Sequence, residues 1–296
     1  MKWTISRLLH WTTDYFKQKE IDSPRLDAEI LLAHVLGVSR IHLYTNFDKP
    51  LEQTELASFR EFVSRRGKRE PIAYIIQSKE FYSLEFYINS SVLIPRPETE
   101  LLVELAIKHL PEQSIAGETL SILDIGTGSG AVLLSIGHHL EKCNLVGTDI
   151  DPAGLRVARK NAIRLGLSNK TLLLCCDLFP HVTSSAPEKY DVIVSNPPYI
   201  PTLQIDQLQP EIADFEPRIS LDGGPKGLDF YLKIIRAACE KMPENGIILL
   251  EVNDELAPKV KKLFEESEKF HQIENFKDYA GITRVMKATK KGSEVF

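Results

Sequence analysis

Apolar side chains recur at helical spacing through roughly the first seventy residues. In "SPRLDAEILLAHVLG" the repeat falls on Leu26, Ile30, Ala33, Val35 and Leu36, with Ser23 as N-cap, Pro24 at the first helical position and Gly37 as the stop. Past Pro50, "LEQTELASFREFVSRRGKRE" predicts a second helix that turns basic at Arg60, Arg65, Arg66, Lys68 and Arg69, before Pro71 closes the region. A charge run of this kind reads as a solvated helix face or as a docking surface for a partner. The period then changes. Residues 80–95, "EFYSLEFYINSSVLIP", alternate aromatic and polar positions around a polar break at Asn89 to Ser91, which predicts a hairpin.

From "RPETELLVELAIKHL" onward, helical patterns take turns with short apolar runs: "LSILDI", "NLVGTDI", "TLLLCCD", "YDVIVSN", "GIILLEVN", "QIENFKD" and "TRVMKAT". Unbroken apolar runs suit strands covered on both faces. Their alternation with helices predicts an α/β fold with a mostly parallel sheet. The chain thus reads as a helical N-terminal domain over residues 1–78, a hairpin linker over 79–97 and an α/β domain over 98–296. No internal repeat or low-complexity segment interrupts it.

Composition narrows the class without changing this picture. With 296 residues, 43% hydrophobic and 26% charged, disordered and fibrous classes are excluded. No apolar run is long enough to span a membrane, and the first twenty residues lack the apolar core of a secretory signal, so a cytoplasmic protein is expected. The net charge of -5 argues against wholesale nucleic-acid coating. Cys143, Cys175, Cys176 and Cys239 form no C-x-x-C pair and have no histidine at metal-ligand spacing, so neither a metal nor a redox dithiol is expected. Cys175 and Cys176 sit in an apolar run and read as small buried hydrophobes. His138 and His139, on a predicted helix, receive no role.

The candidate chemistry lies at the ends of the apolar runs. "LDIGTGSGAVLLSIG" passes from strand to helix through Gly126, Gly128 and Gly130, which lets the backbone turn tightly and present its N–H groups to a ligand. Spelled G-x-G-x-x-A with Ala131, it also satisfies a relaxed dinucleotide fingerprint, so the loop indicates a nucleotide-like cofactor without choosing one. The next run ends at Asp149, where an acid can bond two ribose hydroxyls; Asp151 and Pro152 then start a helix. Asp177 follows the third run. Asn196, in "IVSNPPYIP", ends the fourth. An Asn oxygen and the following backbone carbonyl of Pro197 are both acceptors, and together they can take both hydrogens of one planar NH2 group. Pro197 fixes the backbone direction, and the Tyr199 ring can cover a planar group.

"LDIGTGSG", "GTDIDP", "CCDLF" and "SNPPYI", in this order and spacing, resemble the class I S-adenosylmethionine-dependent methyltransferases, among which "NPPY" marks enzymes acting on a planar amide or amine nitrogen. "SPRLDAEILLAHVLG", "FYSLEFYINSSVLIPRPETE" and "LDGGPKGLDFY" extend the resemblance over nearly the whole chain to the protein-(glutamine-N5) methyltransferases of peptide chain release factors. That resemblance implies a Rossmann-like domain with a mostly parallel seven-stranded sheet, preceded by a small all-α domain that helps hold the release factor. It implies S-adenosyl-L-methionine as cofactor, S-adenosyl-L-homocysteine as product and no metal. Gly126, Thr127, Gly128, Ser129 and Gly130 would surround the methionine part, with Asn196 beside it. Asp149 would hold the ribose, and Asp177 with Leu178 the adenine. Asn196, Pro197, Pro198 and Tyr199 would grip the glutamine of a Gly-Gly-Gln loop, with Asn196 and Pro197 aiming its nitrogen. No membrane and no direct nucleic-acid contact are implied.

Arg96 and Glu98 of "RPETE" read either as shaping the site entrance or as a stiff linker with a helix-capping Glu98. "DGGPKG", residues 222–227, reads as a mobile loop near the substrate. The late "G-x-D-R" turn of the family is here "GITR", with Ile282 and Thr283 before Arg284. Rival readings are a glutamine methyltransferase for a ribosomal protein, an adenine-N6 methyltransferase that flips its base, a nicotinamide-dependent oxidoreductase, and a release-factor-binding protein with a vestigial site.

Overall fold

The computed structural model of the chain describes residues 2–113, 119–180 and 186–292, side chains of residues 110–113 excepted. The chain divides into two units: Met1–Ser78 with Gln209–Phe215, and Lys79–Leu208 with Glu216–Phe296.

The first unit is helical: α1 (Ile5–Gln18), α2 (Pro24–Leu36), α3 (Arg40–Thr45), α4 (Gln53–Arg66) and α5 (Ile72–Ile76), joined by the short helix Pro210–Ala213. Ile5, Leu9, Phe16, Leu31, Leu32, Leu43 and Phe59 form its core. Gly37 ends α2 in the left-handed region at φ 63°, as the sequence predicts, whereas the Ser23 side chain makes no capping bond. α2 carries two buried acids, and each has its cations. Glu29 takes Arg25 at 2.6 Å, Arg40 at 2.8 Å and the Tyr44 hydroxyl. Asp27 takes Arg66 at 2.7 Å.

Arg66 also reaches Glu211 at 3.0 Å, and Arg69 reaches the same carboxylate at 2.8 Å. Arg65 pairs with Glu70 at 2.5 Å. The basic run is therefore neither a solvated face nor a bare docking surface: three of its arginines neutralise acids of their own unit, while Arg60 and Lys68 stay exposed. An unpaired buried carboxylate is costly, and that cost sets the charge pattern.

From the last residue of the first unit into the second, β1 (Ser78–Phe81) and β2 (Leu84–Tyr87) make the expected hairpin. Its turn is Tyr82-Ser83, both at positive φ (50° and 59°), rather than the polar break further on. Two left-handed residues match the strand twist, so the turn forms here without the usual Asn-Gly. Asn89 instead closes a small turn of its own by accepting the Ser91 N–H at 3.0 Å.

The α/β body runs α6 (Glu100–Gln113), β3 (Leu120–Ile125), α7 (Ala131–His138), β4 (Cys143–Asp149), α8 (Pro152–Arg164), β5 (Thr171–Cys175) and β6 (Val192–Ser195). Helix Asp229–Lys241, β7 (Ile247–Glu251), helix Ala257–Ser267, β8 (Phe270–Lys277) and β9 (Thr283–Lys290) complete it. The sheet order is β5-β4-β3-β6-β7-β9-β8. β9 pairs antiparallel with β7 and β8, and the other pairs are parallel. β6 and β7 are buried at every position, which is why they read as unbroken apolar runs. β5 is an edge strand. Cys175 is accordingly exposed and Cys176 half-buried; among the described residues only Cys143, on β4, is a buried thiol.

Candidate active site

Strand order reverses at β3, which lies between β4 and β6, with Ile125 level with both Thr148 and Ser195. In open α/β sheets this is where the crevice for a ligand opens. A cavity of about 260 Å³ lies here, lined by Gly126, Gly128, Asp149, Asp177, Leu178, Asn196, Pro197 and Pro198 among others. The ends of four successive strands thus meet in one place, as the sequence order implied.

The glycine loop divides its labour. Gly126 and Gly128 hold φ at 72° and 52°, and a Cβ on either would meet nothing within 4 Å, so both leave open room beside the cavity. At Gly130, φ 79°, a Cβ would instead meet Leu134 and Ala158 at 3.0 and 3.3 Å. Thr127 and Ser129 are buried and do not line the cavity. The Thr127 hydroxyl donates to Asp124 at 2.7 Å, and the N–H groups of Gly126 and Thr127 both donate to the Thr148 carbonyl at 2.9 Å. Asn161 of α8 donates to the carbonyls of Ser129 and Tyr87 at 2.9 and 3.0 Å, tying the loop to the hairpin. Half of the loop faces the cavity; the other half braces it.

Asp149 accepts the Gly128 N–H at 2.8 Å through one oxygen and the Asp151 N–H at 2.9 Å through the other. Burial raises its pKa, and those backbone donors pull it back. Beneath it, Asp124 is fully buried and pushed up to about 7, first by burial and further by the Asp149 charge. Asp151 caps α8 by accepting the Ala153 N–H at 2.8 Å and also borders the cavity. Leu178 is held at φ 62°, with its carbonyl accepting the Thr148 hydroxyl at 2.7 Å. The open space over two glycines, a carboxylate at one strand end and a second at the next together suit a nucleoside cofactor.

Tyr199 does not line the cavity; it packs against the sheet core, and burial pushes its phenol up to about 12. Its backbone is held by "DGGPKG". A Cβ on Gly223 would sit 2.8 Å from the Pro198 carbonyl oxygen, and one on Gly227 would overlap that of Tyr199. The Ile200 N–H donates to the Leu221 carbonyl at 3.0 Å, the Gly223 N–H donates to the Ile200 carbonyl at 2.9 Å, and Asp222 accepts the Thr202 hydroxyl at 2.6 Å. Gly223 and Gly227 thus allow close packing against the Pro-Pro-Tyr backbone.

Arg96 pairs with the buried Glu216, which also accepts the Ile94 N–H at 3.4 Å, and so pins the linker to the segment carrying Pro217, Ile219 and Ser220 of the cavity wall. Glu98 lies 3.7 Å from Arg284. Arg284 in turn pairs with Asp278 at 2.8 Å. Two residues escaped the sequence reading. Thr99, in "RPETE", accepts from the Asn196 amide at 3.3 Å, and Glu251 stands at the end of β7, beside β6. The only sequence signal for Glu251 is an acid closing the apolar run "IILLE". Among the described residues no cluster of side chains could hold a metal ion, and no helix is long and apolar enough to cross a membrane.

Residues 7–76 match the family described as the PrmC N-terminal domain, and residues 117–289 match a methyltransferase domain. A Rhodopirellula baltica protein named release factor glutamine methyltransferase is 40% identical over 97% of this chain and 97% of its own length. One of the same name from Geobacter sulfurreducens is 40% identical over 96% of each. In structure, a methyltransferase from Pyrococcus furiosus superposes with a TM-score of 0.52 at 18% identity, over 81% of this chain and 100% of that one, a likeness of fold.

Proposed function

The chain belongs to the release factor glutamine methyltransferases, and we propose that it methylates the side-chain amide nitrogen N5 of the glutamine in the Gly-Gly-Gln loop of peptide chain release factors, using S-adenosyl-L-methionine. The observation that carries this reading is Asn196-Pro197 at the rim of a cavity that Gly126, Gly128 and Asp149 also line.

When bound, S-adenosyl-L-methionine supplies an electrophilic methyl group on a sulfonium. Gly126 and Gly128 would leave room for its methionine part, Asp149 would accept from the ribose hydroxyls, and Asp177 with Leu178 would flank the adenine. Thr127, Ser129 and Gly130 would act through the loop's shape. An amide nitrogen is a weak nucleophile, so position matters most: the Asn196 oxygen and the Pro197 carbonyl would each accept one N–H and aim the nitrogen. Such orientation contributes up to ~7–11 kcal/mol. Pro198 and Tyr199, with the glycines packed behind them, would keep that carbonyl fixed. The helical unit, residues 1–78 with 209–215, would help hold the release factor. The reaction as read needs no metal and no contact with nucleic acid, and it would take place in the cytoplasm.

The test is transfer of labelled methyl from S-adenosyl-L-methionine to a purified release factor and to the same factor with its loop glutamine changed to alanine. Label on the first alone supports the reading. Label on both would move the acceptor elsewhere, and label on neither, with cofactor binding intact, would sink the release-factor assignment.

A further inference from the structure

Asn196 can act as an acceptor only if its oxygen faces the substrate. A carboxamide is nearly symmetric in shape, and turning it over exchanges an acceptor for a donor; its hydrogen-bond partners decide which way it stands. On its inner side Asn196 directs Nδ2 to the Thr99 hydroxyl oxygen, 3.3 Å away. Having accepted there, the Thr99 hydroxyl keeps one proton to give. Behind both lies Glu251, 4% exposed, whose carboxyl feels the pull of the Thr99 and Asn196 side chains.

We propose that Glu251 is a positioning residue for methyl transfer: through Thr99 and directly, it holds the Asn196 carboxamide with its N–H2 turned inward and its oxygen toward the substrate amide. An ionised carboxylate only accepts, so it can face Nδ2 and cannot favour the reverse orientation. A glutamine in its place could donate to the Asn196 oxygen and permit the turn. Glu251 is otherwise hard to account for. Its Oε2 is buried without a partner, which a residue kept for stability would not leave so. Its backbone is fixed, since the Tyr231 hydroxyl donates to the Glu251 carbonyl oxygen at 2.7 Å.

Burial raises the Glu251 carboxyl to about 7, against the pull of Thr99, Arg284 and Asn196 and with a push from the Glu98 charge. The other titratable groups facing it are Tyr199 and Tyr231, both raised from the ordinary tyrosine value, and Arg284, also raised. None of these three changes charge near neutrality. Below pH 7 Glu251 takes up a proton, becomes able to donate, and loses its hold on the amide's orientation.

The inference rests on the function proposed above, so the experiment separates the two. Single-turnover transfer to the release factor is measured for the wild type, Glu251→Gln, Thr99→Val and Thr99→Ser from pH 6 to 8.5, beside cofactor affinity by calorimetry. Misplacement on the scale of 1 Å costs ~100-fold. Glu251→Gln is therefore expected to lose about 10- to 100-fold in rate with cofactor affinity kept, and to lose the rise in rate through about pH 7 that the wild type shows. Thr99→Val should fall in the same direction and Thr99→Ser recover. Wild-type rate and pH profile in Glu251→Gln, or equal losses of rate and cofactor affinity, overturn the proposal. If the wild type itself transfers nothing, the functional reading fails, and the side-chain N–H2 resonances of Asn196 decide the inference alone. They should move with pH through about 7 in the wild type and stay still in Glu251→Gln; no movement in the wild type overturns it.

Discussion

Replacing Arg66 by methionine keeps the length of the side chain and removes its charge. The Arg66 side chain is 8% exposed, and those of its partners Asp27 and Glu211 are 10% and 17% exposed. The substitution strands Asp27 and leaves Glu211 with Arg69 alone. Breaking a buried pair in this way costs about 3–5 kcal/mol. Burial already raises the Asp27 pKa against the hydrogen bond and charge of Arg66, so without Arg66 it rises further. A folded-state pKa above the unfolded one makes stability fall as pH rises. The loss should therefore be largest near pH 8 and shrink toward pH 5. The assay is urea unfolding followed by tryptophan fluorescence, which is selective because the chain's two tryptophans, Trp3 and Trp11, both belong to the helical unit. Arg60→Met, an exposed position on the same helix, is the control and should stay within about 0.5 kcal/mol. A loss below about 1 kcal/mol at pH 8 in Arg66→Met would refute the argument and restore a surface role for the basic run.

Two further predictions concern the cofactor side. Asp149→Ala should weaken S-adenosyl-L-methionine binding by at least ~10-fold, since a charge-assisted hydrogen bond contributes roughly 1.5–3 kcal/mol; calorimetry showing wild-type affinity would remove Asp149 from the site. Asp124, with its folded pKa about 7 against an ordinary 3.8, makes the protein lose stability as pH rises between those values and lose no more above them. Asp124→Asn should flatten that part of the stability curve, by up to roughly 4 kcal/mol; equal slopes for the two proteins would count against a buried proton there.

The sheet and the line of strand-end residues were legible because buried central strands leave unbroken apolar runs, and glycines at positive φ leave a fixed spacing. What could not be read had no local signature. The hairpin turn at Tyr82-Ser83 uses two residues with no special liking for left-handed backbone, so the polar cluster after it drew the assignment. The basic run looked free because Glu211 is 145 residues away from Arg66. Cys175 kept the pattern of a core strand while lying on the sheet's edge. The "DGGPKG" glycines read as freedom, although a neighbouring backbone fills the space a side chain would need. Thr99 and Glu251 were missed for the commonest reason: each becomes meaningful only beside Asn196.

Glu211 carries a consequence for how the protein can be taken apart. It returns to the helical unit on a loop of the other, so the chain crosses between them after residues 78, 208 and 215. A truncation starting at Lys79 would not isolate a finished enzyme half, because it would carry away a stretch whose acid has lost both Arg66 and Arg69. A protease cut between Ser78 and Lys79 would leave residues 209–215 tied to the helices through Glu211, Arg66 and Arg69. The helical unit is thus made of two separate stretches of the chain. A chimera that seeks a new docking specificity must exchange the N-terminal residues and the 209–215 stitch as one cassette.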